Sequence, residues 1–474
     1  MSTEEPAELE AQIPRSILGS LAFGTVLQPL NSSMIAVALV SIRDDFDAGV
    51  SVNWLVSALY IATAVAASTM GRLADLFGAR RMFLIGLCFV LGGSVIAPFS
   101  PNLATLVACR VLLGLGTGAQ YPCALAILRR TADRLGARPE SALGVLSVAA
   151  QVSIAFGPSL GGLIVAVFSW QGIFWVNLPM CAAAAFTVLR TVPADEPIDS
   201  GAAGLGRRGL ILSRLNRVDP PGLLLFAAAT ATLMVFLLSL AQTPRPIWGI
   251  VSAALFVILI VWERRVPSPF LDLSLFANAQ LSLTFARVTI IYIAFYSIFF
   301  GVPQWLEEAG GRTPAQAGLI FLPIPLVAMG STALAARLQV KRGPVLTIVI
   351  GAAVMCVAGV LLTRPTAGTP VILILLLLGV IGFPNGFNNM GNLSAMYRAA
   401  PADQIGAASG LYRTCQYIGA NLAAALLALV LGDRATDEGL HRMGWCVAAI
   451  AGSVLIGELI VHLRAGSRSA VLRP

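Results

Sequence analysis

The sequence predicts an all-α polytopic membrane protein with fourteen transmembrane helices, on three grounds. Composition comes first: of 474 residues, 57% are hydrophobic and only 11% are charged, and mean hydropathy is +0.84. A soluble domain carries about 25% charged residues, so this chain cannot cover a water-facing surface of its size. Next come uncharged runs of the length that crosses a bilayer, about 20 apolar residues: 16–42, 48–71, 82–109, 220–244, 313–336, 343–363 and 365–397. Last is the placement of the arginines, which alternates from loop to loop as the positive-inside rule requires.

Taken in order, the first span covers 16–40. It follows a polar tail, 1–15, that carries Glu4, Glu5, Glu8 and Glu10. A secretory signal starts basic and has a shorter apolar core, so this run reads as a retained helix. Spans follow at 52–71, 82–100 and 103–127. The stretch 141–189 has no charge and is long enough for two spans. Ser169, Trp170, Gln171 and Gly172 divide it into 141–167 and 173–191, with Trp170 as an interfacial anchor. The remaining spans are 221–241, 246–263, 281–305, 314–336, 344–363, 369–395, 404–431 and 443–463. With the N-terminus inside, twenty-two basic residues fall on the cytoplasmic side and six outside. Arg110, Arg287 and Arg413 lie within spans. Both termini are then cytoplasmic, and a bacterial inner (plasma) membrane is the expected location.

The net charge of +8 follows from these loops and implies no nucleic-acid partner. The only lysine, Lys341, follows Val340, so no phosphate-binding G-K-[ST] loop exists. Two histidines, His441 and His462, do not form a metalloprotease motif. The seven cysteines all sit in apolar stretches without a C-x-x-C pair and read as small packing residues. No catalytic residue, metal site or cofactor is expected, so uphill movement of a solute draws on an ion gradient or another solute.

An internal repeat organises the spans. Residues 71–78 and 336–343 share Arg-Leu at the second and third places and Gly at the eighth. They follow the second and tenth spans, equivalent places in two six-helix blocks. The resulting layout is a tail (1–15), an N-terminal bundle (16–192), a cytoplasmic loop (193–220) and an inserted helix pair (221–263). A linker (264–280), a C-terminal bundle (281–463) and a tail (464–474) complete it. Two homologous bundles around a midplane site are a common transporter plan.

Gly71, Leu73, Ala74, Asp75, Gly78, Arg80 and Arg81 resemble the cytoplasmic signature of the major facilitator superfamily. Further stretches resemble its 14-helix drug:proton antiporter branch. They are Gly157, Pro158, Gly161 and Gly162 in the fifth span, and Trp170, Phe174, Asn177 and Pro179 at the turn into the sixth. Asp219, Pro220, Pro221 and Gly222 precede the extra helices, and Glu263, Pro267, Pro269, Leu271, Asp272, Leu273 and Phe276 follow them. Gly406, Ser409, Gly410 and Gly419 lie in the thirteenth span. The resemblance runs from about residue 16 to 463. It implies two six-helix bundles plus two inserted helices, and export of drugs or amphiphilic small molecules by proton antiport. Its partners are the lipid bilayer, a small-molecule substrate and protons, and it acts as a monomer.

The resemblance assigns roles to residues. Gly71, Asp75, Gly78 and Arg80 form a conformational latch, in which Asp75 faces a helix N-terminus of the other bundle, where a carboxylate is favoured. Gly157, Pro158, Gly161 and Gly162 form a hinge and seal. Pro158 deletes a helix hydrogen bond, and the glycines admit a neighbouring helix. A plain packing seam is the alternative for this group. Arg110 lies near the proton path, and an intramembrane arginine is a functional candidate in its own right.

Asn31 stands where the branch usually has an aspartate, Leu76 where it has a second arginine, and Leu113 where it has a glutamine. The well-embedded acid that remains is Glu458, read as structural because the last span is peripheral; Glu307 and Glu308 sit at a span edge. Against them stand Arg110, Arg287 and Arg413. The candidate substrate-binding residues are Asn31, Gln120, Gln151, Arg287, Tyr292, Tyr296, Asn385, Asn388, Asn389, Arg413, Gln416 and Tyr417. Asn385, Asn388, Asn389 and Asn392 recur at i, i+3, i+4 and i+7 and mark a polar helix face; interhelical hydrogen bonding explains them as well. The balance suggests a positive cavity, and with it a second reading: exchange or export of an anionic or zwitterionic metabolite without a first-span carboxylate. The latch predicts that Asp75→Asn lowers transport while the yield of folded protein in membranes is unchanged. Wild-type uptake rates in vesicles carrying well-folded Asp75→Asn would reject the latch.

Overall fold

Among the described residues every regular element is helical. The structure is a computed structural model that describes residues 13–135, 140–195, 219–240, 243–267, 269, 271, 273–401 and 405–471. The helices are α1 (Arg15–Val37), α2 (Leu39–Phe46), α3 (Trp54–Phe77), α4 (Ala79–Ile96), α5 (Leu103–Leu135), α6 (Glu140–Phe168), α7 (Gly172–Thr191), α8 (Pro220–Ser239) and α9 (Pro246–Glu263). They continue with α10 (Ala279–Glu308), α11 (Pro314–Gln339), α12 (Pro344–Leu361), α13 (Val371–Ala399), α14 (Ile405–Val430) and α15 (Asp437–Val471).

Among the described residues, eleven helices are long and apolar enough to cross a membrane, or twelve if the bent pair α1 and α2 counts as one span. Two expected spans fall outside that set for different reasons. The described apolar part of α6, Val152–Phe168, is short. In α14 the charge and amides of Arg413, Gln416 and Asn421 dilute an otherwise apolar helix. The chain bends by 61° between α1 and α2, next to a 3-10 turn at Ile35–Val37. Where apolar runs end, the helices do not. The 33-residue α5 is ~50 Å long at 1.5 Å per residue, well beyond the ~30 Å hydrocarbon core, and its last turns carry Arg129, Arg130 and Arg134.

Helix ends follow local chemistry. Asp219 caps α8 by accepting from the Gly222 N–H at 3.1 Å, and takes a 2.7 Å bond from Trp262 Nε1 of α9. Thr313 and Gln316 form a capping box at the start of α11. Gly78 (φ 101°) and Gly343 (φ 77°) both adopt left-handed backbone, each one residue before the next helix begins. The repeated segment therefore ends in the same sharp reversal in both halves, one that favours glycine.

Glycines carry the helix contacts. A Cβ on Gly114 would lie 2.5 Å from the Leu59 carbonyl, and one on Gly118 2.8 Å from that of Thr63, so α3 and α5 touch backbone to backbone. Gly382 does the same for α13 against Ile324 of α11. Between the two bundles, α6 meets α11: a Cβ on Gly162 would sit 2.3 Å from the Pro314 carbonyl, and one on Gly318 2.4 Å from that of Pro158. Helix α8 packs against α3 and α14, one helix from each bundle, and α9 packs on α8.

At the end of the molecule holding the α2–α3 turn, polar contacts also join the bundles. Arg43, 4% exposed, binds Glu308 at 2.6 Å, Gln304 Oε1 at 2.5 Å and the Asp433 carbonyl at 2.7 Å. Asp433 also accepts from the Val50 N–H at 3.1 Å. This end is closed by contacts in which a methyl group has no room. Gly162→Val should part α6 from α11 here. Spin labels at Asp44→Cys and Arg434→Cys should then report longer distances than in the parent, and an unchanged distribution would show that the glycine contact does not hold this end shut.

Candidate functional site

The seam between the bundles is aromatic. Tyr60 of α3 meets Tyr296 of α10 edge-on, ring centres 5.2 Å apart, and stacks on Tyr417 of α14 at 5.6 Å. Tyr296 in turn stacks on Phe300 at 5.6 Å. One turn along α14 from Tyr417, the Arg413 guanidinium lies over the ring of Tyr121 of α5, 3.9 Å from its centre. Gln416 donates to Tyr292 Oη at 2.8 Å, and that hydroxyl donates to Asn389 Oδ1 at 3.4 Å. Both rings and donors thus face a common region, with contributions from each bundle. Arg413 is half-buried, and among the described residues no carboxylate lies within ion-pair distance of it. Its charge rests on an aromatic face, worth about 0.5–2 kcal/mol.

Of the residues singled out in the sequence, the seam brings together Tyr292, Tyr296, Asn389, Arg413, Gln416 and Tyr417. Asn385, half-buried, lies one turn from Asn389 on α13. Others lie inside one bundle. Arg287 donates to Asn392 Oδ1 at 2.5 Å and to Thr284 Oγ1 at 3.3 Å, and pairs closely with Glu458. Both partners are 7% exposed in their side chains, so this positive charge is balanced within α10, α13 and α15. Asn388 turns toward Gly351 of α12, and its buried carboxamide meets no hydrogen-bond partner among the described residues.

Asn31 exchanges two hydrogen bonds with Asn177, at 2.7 and 2.9 Å, and Asn177 also donates to Ser94 at 2.9 Å. The amide that replaces an acid thus ties α1 to α7 and α4. Gln120 donates to the Phe83 and Gly116 carbonyls at 3.3 and 3.2 Å. Arg110 lies beside Asn31, its Nη1 3.5 Å from the Asn31 carbonyl and its Nε 3.0 Å from that of Leu55. The side chains of Gln151 and Asp75 lie outside the described residues.

In the segment expected to form the latch, Asp195 occupies the start of α4. It accepts from the Arg80 N–H at 3.3 Å and the Arg81 N–H at 2.7 Å, and Arg130 stands 3.7 Å away. A carboxylate at a helix N-terminus is favourably placed. The Arg80 guanidinium binds the Leu189 carbonyl at 2.8 Å, and Gly71 faces Pro122. In the fifth-span motif, Gly157 and Gly161 face Ser33 and Met34 of α1, while Gly162 and Pro158 face α11. Ser159 adds a 2.8 Å bond to the Gly318 carbonyl.

Sequence reasoning missed Tyr60, Tyr121, Asp195 and the Arg43 network. One signal was available. The chain has only seven tyrosines, and Tyr60, Tyr121, Tyr292, Tyr296 and Tyr417 all meet at the seam. Nothing local marked Asp195 or Arg43, whose partners are distant in sequence. Among the described residues no group of three or more His, Cys, Asp or Glu side chains is arranged to hold a metal.

The model of the Major Facilitator Superfamily matches residues 21–424. An uncharacterized MFS-type transporter of Bacillus subtilis, YwoD, is 32% identical over 93% of this chain and 95% of its own length. Multidrug resistance protein Stp of Mycobacterium tuberculosis is 29% identical over 85% of this chain and 73% of its own. Riboflavin transporter RibZ of Clostridioides difficile is 25% identical, with 82% of each chain covered. Among solved structures, a POT family transporter in complex with 5-aminolevulinic acid superposes with a TM-score of 0.66 at 16% identity, covering 94% of this chain and 97% of that one. The all-helical fold, its membrane-spanning helices and these matches agree: the chain belongs to the major facilitator superfamily of membrane transporters.

Proposed function

We propose that the protein exports drugs or related amphiphilic small molecules by alternating access with proton antiport, as a fourteen-span member of the 14-helix drug:proton antiporter branch. In this reading it is a monomer of a bacterial inner membrane with both termini cytoplasmic. The observation that carries the proposal is the seam of Tyr60, Tyr296, Tyr417, Tyr292 and Arg413, which offers aromatic faces and a few donors shared by two bundles. Such a surface suits an amphiphile held by stacking more than by a fixed hydrogen-bond pattern. The relative named a multidrug resistance protein supports the same substrate class. With the positive-inside orientation, the end closed by Arg43 is extracellular, which fits loading from the cytoplasm. Gly71, Asp75, Gly78 and Arg80 then serve as the cytoplasmic latch, and Gly157, Pro158, Gly161 and Gly162 as the seal on α6.

The second reading, an anionic or zwitterionic metabolite, is favoured by Arg413, a half-buried cation resting on a ring instead of a carboxylate. It also accommodates Asn31, which cannot carry a proton. Acids within the described spans include Glu458, held by Arg287, and Glu307 and Glu308 at the Arg43 end.

Everted vesicles with an inside-acid pH gradient separate the two. Cationic, neutral and anionic amphiphiles are added in turn to wild type and Arg413→Ala. Proton-coupled export of amphiphiles predicts collapse of the gradient by cations or neutral compounds in both proteins. Collapse by anions alone, lost at least tenfold in Arg413→Ala, selects the anionic substrate. Movement of labelled substrate with no collapse rejects proton coupling.

A further inference from the structure

Arg110 is the least exposed of the described arginines, at 1%. A guanidinium carries five N–H donors and does not give up its proton in proteins. Here Nε and Nη1 reach two backbone carbonyls, those of Leu55 and Asn31. Nη2 is buried and meets no acceptor from the described residues. The other two deeply buried arginines each have a carboxylate: Glu308 for Arg43, Glu458 for Arg287. Among the described residues none lies within ion-pair distance of Arg110. Residue 31, whose carbonyl faces the guanidinium, carries an amide already committed to Asn177 and the Leu27 carbonyl.

An unbalanced charge inside a membrane protein is costly, and a pair of carbonyl dipoles offsets only part of that cost. An unfilled donor on a fixed positive charge is the chemistry of an anion site.

We propose that Arg110 holds a small monovalent anion, chloride or the carboxylate of a bound solute, between α1, α3 and α5, in place of a protein carboxylate. Nη2, the buried donor that meets no acceptor among the described residues, supplies the charged contact. The site is built from α1, α3 and α5 and does not involve Arg413.

The test is equilibrium binding to the purified full-length chain in chloride-free gluconate buffer, with no gradient, so its outcome is independent of the transport reading. Radiolabelled chloride is followed by dialysis, and Tm by tryptophan fluorescence during titration with chloride or acetate. Wild type should bind saturably, one anion per chain, with a rise in Tm. Arg110→Gln should abolish both effects. Asn31→Asp keeps the arginine and places a carboxylate on the residue whose carbonyl already faces it; it should also abolish both, and carries the test if Arg110→Gln does not fold. Binding of acetate but not chloride assigns the site to a solute carboxylate. Absence of saturable binding by wild type, or equal binding by wild type and Asn31→Asp, overturns the proposal and leaves the guanidinium to carbonyls and water.

Discussion

Inside a bilayer, burying one leucine against another gains little, because lipid tails are as apolar as leucine. What holds helices together there is close contact, and close contact needs residues without side chains. The fold depends on this constraint throughout. Gly114 and Gly118 let α3 and α5 meet backbone to backbone, Gly382 does so for α11 and α13, and Gly162 and Gly318 do so between bundles. The same property that builds each bundle therefore also sets how tightly the two can close. The Gly162 and Gly318 contacts are made of van der Waals surface and one Ser159 hydrogen bond, so they can separate without leaving a buried charge behind. The Arg43 network at the same end differs: opening it exposes an arginine and a glutamate to water, which solvates both.

Charge is handled by three local solutions. Arg287 is balanced by Glu458 and oriented by Asn392. Removing one member of such a pair costs about 3–5 kcal/mol, although the pair itself is weak evidence for stability. Arg413 lies on a tyrosine face. Arg110 has carbonyls but no acid. The positive balance read within the spans is thus concentrated at Arg110 and Arg413, two of the three intramembrane arginines.

Much of the fold was legible because hydropathy reports contact with lipid, and the chain signals it strongly. Helix ends were less legible: Arg129, Arg130 and Arg134 end the apolar run of the fourth span but not the helix, since a helix projecting into water loses no hydrogen bonds. Span 16–40 missed α2 for the same reason, as Arg43, Asp44 and Asp45 look like a loop until Arg43 is seen buried against Glu308. At the site, the residues on α10 and α14 that converge were recognisable from helical spacing and polarity. Arg287 and Asn388 carried the same signals, and only packing separates them from Asn389, because i and i+1 on a helix face different neighbours. Asp195 was invisible for a further reason: it caps α4 from beyond the sixth span.

The seam places a mechanical demand on any substrate it binds. Tyr60 touches Tyr296 and Tyr417 across the bundle boundary, and Tyr121 carries Arg413 across it. A solute that lies between these rings replaces ring–ring contacts of ~0.5–1.5 kcal/mol each with its own. An aromatic amphiphile pays little for this exchange, since it stacks in turn on the rings it parts, whereas a small hydrated solute would leave them unstacked and gain no comparable contact. In the proposed export reading, the seam therefore selects for size and aromatic surface before it selects for charge. In that reading Arg413, freed from Tyr121 as the rings part, favours solutes with an electron-rich or anionic group near the aromatic one. The same proposal makes binding and separation of the bundles at midplane one event, with the glycine contacts and the Arg43 network setting which end follows.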